Sequence, residues 1–228
     1  TLTPLDSEKN KQNNTRYFAV EVIDQKVKIA LVSDMLHPDL GALKKSLESN
    51  ELRGVDILKP NEASSKLNEY QLVILYQPNR KFSEVYQNVK RLEKNTFTIT
   101  GTQTDWNFLN DIQTSFRKDD LQEREEVQGR LNANYTNFLI DNIDFSEYPP
   151  LENSFGDVEF NVVNETILTQ TVSGVSTDSP LLATYTDNNI RSAILAGENI
   201  WKWRANSFLM QENFIEFDTF LGKLVQYL

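Results

Sequence analysis

The sequence predicts a three-layer α/β protein: an open, mostly parallel sheet with helices on both faces, to which the second half adds an antiparallel β portion. Two patterns carry this expectation. In the first half, apolar runs of strand length alternate with apolar residues at helical spacing, the rhythm of a parallel sheet whose strands are buried on both sides. From Phe155 onward the period falls to two, as in strands that turn alternate side chains to opposite faces. The 228 residues are 39% hydrophobic and 25% charged, which is sufficient for a sizeable core.

Residues 27–32 (VKIALV) read as the first buried strand. The chain turns over residues 33–37 and enters a helix at Pro38, whose fixed φ and missing N–H suit the first helical turn. Leu40, Leu43 and Leu47 then form one apolar stripe. Residues 55–58 and 72–76 (LVILY) read as the second and third strands, joined by a short helical or irregular crossover at 59–70. Phe82, Val85, Tyr86, Val89 and Leu92 repeat the helical spacing, and residues 97–100 form the fourth strand. Trp106, Leu109, Ile112 and Phe116 mark a further helix, with Thr104 or Asp105 as its N-cap.

Residues 117–150, charged and then Asn-rich, break this rhythm and are expected to lie over the domain as a long excursion; a solvated loop is the competing reading. Ranges 158–163, 166–172, 181–186 and 190–196 then read as strands, with Asp187-Asn188-Asn189 turning the last hairpin. Phe214, Phe217, Leu221, Leu224, Val225 and Leu228 share one face of a closing helix.

With 33 acidic against 23 basic residues and a formal charge of −10, the surface is not built for phosphate, which argues against nucleic acid as a partner. The chain has no cysteine and one histidine. Disulfides, thiolate zinc sites, iron–sulfur clusters and a cysteine nucleophile are therefore excluded. Neither a cofactor nor a metal site is expected. The sequence opens on Thr1 and holds no run of about 18 apolar residues that could span a membrane; it reads as a piece of a longer polypeptide.

In an open parallel sheet the functional crevice lies beyond the carboxyl ends of the strands. Segments 33–38, 76–80 and 101–105 reach that rim, which makes Asp34, His37, Asp39, Gln77, Gly101, Thr102, Gln103 and Asp105 the candidate crevice residues. His37 beside Asp34 or Asp39 could be a general base or ligand; alternatively its ring caps the helix that follows. Residues 98–104 have the outline of a strand, tight turn and helix, the placement of a nucleophile elbow. The apex is Gly-Thr-Gln-Thr, however, and threonine is a poor nucleophile without a base.

The acidic cluster Asp119, Asp120, Glu123, Glu125 and Glu126 lacks the oxygen spacing and glycine of a calcium loop and reads as a solvated face. Asn13, Asn134 and Asn164 begin Asn-x-Thr triplets, a short acceptor pattern for glycosylation. Residues 197–204 (GENIWKWR) are the most distinctive stretch. If they form a strand, Trp201 and Trp203 share a face, either as an aromatic platform for a ring or sugar or as a buried anchor.

The ordered set KIALVSDMLHPDLGALKKSLE, LNEYQLVILYQP, TFTITGTQTDW, GENIWKWR and FDTFLGKLVQYL resembles the class I glutamine amidotransferase-like domain, of flavodoxin-like architecture. Such domains occur in large membrane-anchored proteins of the Bacteroidetes type, often together with a von Willebrand factor A-like domain. The resemblance spans residues 26–228, and GENIWKWR is its most specific part. Residues 1–25, with Tyr17, Phe18, Val20 and Val22 as a β-prone run, are similar to the end of a preceding immunoglobulin-like module or a linker strand.

Catalytic members of that superfamily use a cysteine at the elbow and a His–Glu pair near the end of the sheet. Here Gly101 to Thr104 fill the elbow region, and no histidine follows residue 37. The resemblance thus implies a pseudoenzyme on the periplasmic, extracytoplasmic face of a bacterial membrane. Its partners would be proteins or other domains of the same polypeptide, with anchoring supplied by segments outside this chain. Two other readings compete with it. One is a small-ligand sensor. The other is a hydrolase using rim carboxylates such as Asp34, Asp39 and Asp105, which would require two of them facing each other across a cleft.

Overall fold

The buried run at residues 27–32 begins the fold in a computed structural model that describes residues 26–119, 121, 123–140 and 143–228. The β-prone run at residues 17–23 lies outside the described residues. In chain order the first half consists of β1 (Val27–Ser33), α1 (Pro38–Leu47), β2 (Arg53–Leu58), α2 (Pro60–Ala63), β3 (Leu72–Tyr76), α3 (Ser83–Arg91), β4 (Asn95–Thr100) and α4 (Trp106–Ile112). The second half adds β5 (Phe116–Arg117), β6 (Arg124–Leu131), β7 (Leu151–Ser154), β8 (Glu159–Phe160), β9 (Val163–Val172), β10 (Val175–Asp187), β11 (Ile190–Ala196), α5 (Ile200–Gln211) and α6 (Ile215–Tyr227).

Strands β2, β1, β3, β4 and β11 are parallel neighbours in that order, the 2-1-3-4-5 arrangement of flavodoxin-like sheets. Beyond β11 the sheet continues antiparallel through β10, β9, β6 and β7, nine strands in all. A bridge with reciprocal backbone hydrogen bonds then joins Glu152 in β7 to Glu198, just past β11, so the antiparallel half curls back on the parallel one. Gly197 permits that approach: a Cβ there would stand 2.9 Å from the Leu151 Cβ.

Side-chain alternation along the parallel strands supplies both cores. Ile29, Leu31, Ile74, Phe97, Ile99 and Leu195 pack under α1, α5 and α6, whereas Ala30, Val32, Val73 and Leu75 meet Phe82, Val85 and Phe108 on the other face. Trp106 and Leu109 of α4 cover Ile194 and Ala196 of β11. The hairpin at Asp187 closes through Asn188 and Asn189, both at positive φ, as a two-residue primed turn requires.

Three expectations need correction. Residues 117–150 are not only an overlying excursion, because β6 lies inside the sheet between β9 and β7. Its alternation is concealed by Gly129, whose missing side chain makes room for Leu168 and Leu181. The strand expected at 158–163 shrinks to β8, paired only with β5. Residues 200–204 are not a strand; they open helix α5.

Candidate functional site

The rim segments converge at the carboxyl ends of β1, β3, β4 and β11. His37 is the N-cap of α1: its Nδ1 accepts the Asp39 backbone N–H at 3.2 Å, which is the capping role. Asp39 lies in the first turn of α1, where the helix dipole favours a carboxylate. Its side chain, fully buried, turns to a different helix. Oδ2 accepts the backbone N–H of Asn199 at 2.8 Å, and Oδ1 accepts that of Trp201 at 2.9 Å. The N-terminus of α5 is therefore capped from α1. The Tyr76 hydroxyl donates to Asp39 Oδ2 at 2.8 Å and stands 2.7 Å from His37 Nδ1.

Gln77, the residue after β3, has a φ of 46°, a left-handed conformation that costs a non-glycine residue about 1 kcal/mol or more. Its amide is fully used. Nε2 donates to the Tyr76 oxygen at 3.2 Å and to Glu198 Oε2, and Oε1 accepts the Gln103 backbone N–H at 2.8 Å. Glu198 Oε1 accepts both the backbone N–H (3.1 Å) and the hydroxyl (2.5 Å) of Thr102. Glu198 Oε2 lies 3.6 Å from His37 Nε2.

Two carboxylates thus flank one imidazole. Burial disfavours the imidazolium, but a hydrogen bond to the Asp39 carboxylate, whose Oδ2 lies 3.3 Å from Nδ1, and the charges of Asp39, Glu198 and Glu152 outweigh it and raise the His37 pKa above its ordinary value. Burial, with the Asp39 charge next, pushes the Tyr76 phenol far up and keeps it a neutral donor.

Gly101 sits beneath this network. Its φ is not left-handed, so the strained apex expected of an elbow is absent there. What the position demands is space: a Cβ would lie 2.8 Å from both Gln77 Cδ and Glu198 Cβ.

Of the predicted crevice residues, His37, Asp39, Gln77, Gly101 and Thr102 come together. Gln103 contributes only its backbone, and its side chain is exposed. Asp34 instead pairs with Lys81 at 2.8 Å and lines an open cavity of ≈ 830 Å³ with Lys59 and Arg80. Asp105 caps α4 through the Phe108 N–H at 2.9 Å and faces Arg80 at 3.5 Å. The carboxylates proposed for a hydrolase are therefore each engaged by a different partner. Among the described residues no three His, Cys, Asp or Glu groups are arranged to hold a metal ion.

The aromatic platform is overturned by the helix, in which residues two apart point to opposite sides. Trp203 is buried, with its Nε1 donating to the Pro149 carbonyl at 2.8 Å and its ring 5.1 Å from that of Phe145. Trp201 is exposed, and its Nε1 reaches Asn199 Oδ1.

Sequence reasoning does not single out Tyr76 or Glu198. Tyr76 is readable as the last residue of a rim strand, whereas Glu198 lies in the GENIWKWR stretch without a local signal for its role.

No family model matches the chain, and no curated protein matches it. Among solved structures, a carbohydrate deacetylase superposes with a TM-score of 0.50 at 9% identity, covering 87% of this chain and 32% of its own. An exo-β-1,4-mannosidase from Opitutaceae bacterium strain TAV5 gives 0.48 at 10% identity, covering 89% and 36%. A Thermoplasma acidophilum protein named for a GMP synthase component gives 0.44 at 12% identity, covering 74% and 82%. The chain spans about a third of the deacetylase and of the mannosidase. At this identity the deacetylase likeness speaks to the fold alone: a mixed α/β architecture with a large central sheet.

Proposed function

We propose that this chain is a non-catalytic, class I amidotransferase-like domain of a larger membrane-anchored protein, serving interaction or scaffolding on the extracytoplasmic side. One observation carries this reading. Gly101 to Thr104 fill the elbow region where the resemblance would place a nucleophile, and at Gly101 the space a side chain would need is filled by the Gln77 and Glu198 side chains. These are locked by hydrogen bonds to Tyr76, Thr102 and Gln103. Amide cleavage needs a nucleophile and a proton carrier beside an open site; here the site is plugged and the chain has no thiol.

Support for a docking role comes from the α5–α6 corner, where Leu209, Met210 and Ile215 are 61–78% exposed and Phe208 is also exposed; several large apolar side chains left to solvent at one corner are surface that a partner would cover. No helix among the described residues is long and apolar enough to cross a membrane, so in this reading anchoring belongs to other segments of the polypeptide. A glutaminase assay is expected to show no turnover, and measurable ammonia release from glutamine would overturn the proposal. Hydrogen exchange should be slower at residues 208–215 in the full-length protein than in the isolated domain, and equal rates would remove the docking role from this corner.

A further inference from the structure

Strand β4 carries Thr96, Thr98 and Thr100 on one face and Phe97 and Ile99 on the other. In a sheet covered by helices on both sides, both faces are ordinarily apolar. Here the threonine face is nonetheless buried, together with Ser192 of β11. Thr96 and Ser192 satisfy each other at 3.0 Å, and Thr100 donates to the Leu195 carbonyl at 3.2 Å.

Above Thr96, Thr98 and Ser192 is a cavity of ≈ 310 Å³ between α3, the 112–116 turn and the β10–β11 hairpin. It lies at the amino ends of the strands, about 16 Å along β4 from Gly101 at 3.3 Å per residue. Its walls are the rings of Tyr86, Phe116 and Tyr185, the last two 5.7 Å apart and edge-on. The Tyr86 hydroxyl is closed off from solvent; Thr98 faces it, yet the two lack hydrogen-bond geometry. Such a condition costs about 1–3 kcal/mol unless something accepts the hydroxyl proton. Burial raises the pKa of Tyr86 and pushes that of Tyr185 up to about 12, so both are neutral at physiological pH.

Lys90, exposed, and Lys94 stand at the lining. Lys94 is held by the Tyr70 carbonyl, and the facing Asp187 carboxylate accepts from Ser115 and Asn188.

We infer that this cavity is a binding site for a small aromatic carboxylate, its ring lying against Tyr86, Phe116 and Tyr185 and its oxygens meeting Lys90 at the lining. An aromatic-walled cavity with a few convergent polar groups is the usual form of a small-molecule site. The proposal is independent of the plugged site at the opposite end of the sheet.

The test is titration of the chain with benzoate, and with benzyl alcohol as an uncharged probe, followed by backbone amide shifts. Saturable shifts at Thr96, Thr98 and Ser192 are expected, without shifts at Gly101 or Thr102. Tyr86→Ala, which removes one aromatic wall, should weaken benzoate and benzyl alcohol alike. Lys90→Glu, on the surface, should weaken benzoate while sparing benzyl alcohol. If Tyr86→Ala does not fold, Lys90→Glu still separates the charged probe from the uncharged one. The inference is overturned by non-saturating shifts, by shifts confined to the carboxyl-end rim, or by benzoate affinity indifferent to both folded variants.

Discussion

Asp39 Oδ2 accepts the backbone N–H of Asn199 at 2.8 Å across 160 positions of sequence. A buried carboxylate at the start of one helix thereby holds the N-terminus of another. With the Trp201 N–H and the Tyr76 hydroxyl it has three donors, which compensates its removal from water. Asp39→Asn replaces an acceptor oxygen by a donor NH₂ facing N–H groups. It should cost about 3 kcal/mol of stability, read as a lower urea midpoint at unchanged m-value; a loss within error of zero would refute the cross-helix cap.

The raised His37 pKa predicts the sign of a pH effect. A group whose folded pKa lies above its ordinary value of 6.5 contributes stability that is full below that value and is lost as pH rises through the folded pKa. The urea midpoint should therefore fall as pH rises above 6.5, and His37→Gln should flatten that slope. An unchanged slope in the variant would mean that His37 is not the group responsible.

Gly101→Ala tests the plug. With a Cβ 2.8 Å from Gln77 Cδ and Glu198 Cβ, overpacking should destabilise the domain by about 1–3 kcal/mol. Gly101→Cys should be destabilised similarly and remain without glutaminase activity. If Gly101→Ala melts at the wild-type temperature, the space is less filled than these distances require.

The two tryptophans provide a direct comparison. Trp203→Ala removes a buried ring and its bond to Pro149 and should cost about 3–5 kcal/mol. Trp201→Ala, on the exposed side of α5, should cost less than about 1 kcal/mol. Equal losses, measured by denaturant unfolding, would favour a shared face and the strand reading.

Much of the architecture is legible in the sequence because local patterns reflect local burial. Residues 27–32 and 72–76 are apolar throughout as strands buried on both faces must be, and Leu40, Leu43 and Leu47 mark the inner stripe of α1. The GENIWKWR stretch misleads because alternating Trp and Lys mimic a strand, although Arg204, Ala205, Leu209, Met210 and Gln211 are good helix formers and are the available signal. β6 escapes because its inward positions include a glycine, which has no hydrophobic signature.

By itself the chain determined its parallel strands and the β9–β11 hairpins, most of its helices, the rim segments and, through the absence of cysteine, the chemistry it lacks. Only the tertiary structure decided that Glu198 meets Gln77 over 121 positions, that Asp39 serves α5 rather than its own helix, and that Asp34 and Asp105 pair with Lys81 and Arg80. Periodicity records which side of an element is buried, whereas partnership between distant side chains depends on strand order and on the crossing of α5 over the sheet, which no local spacing encodes.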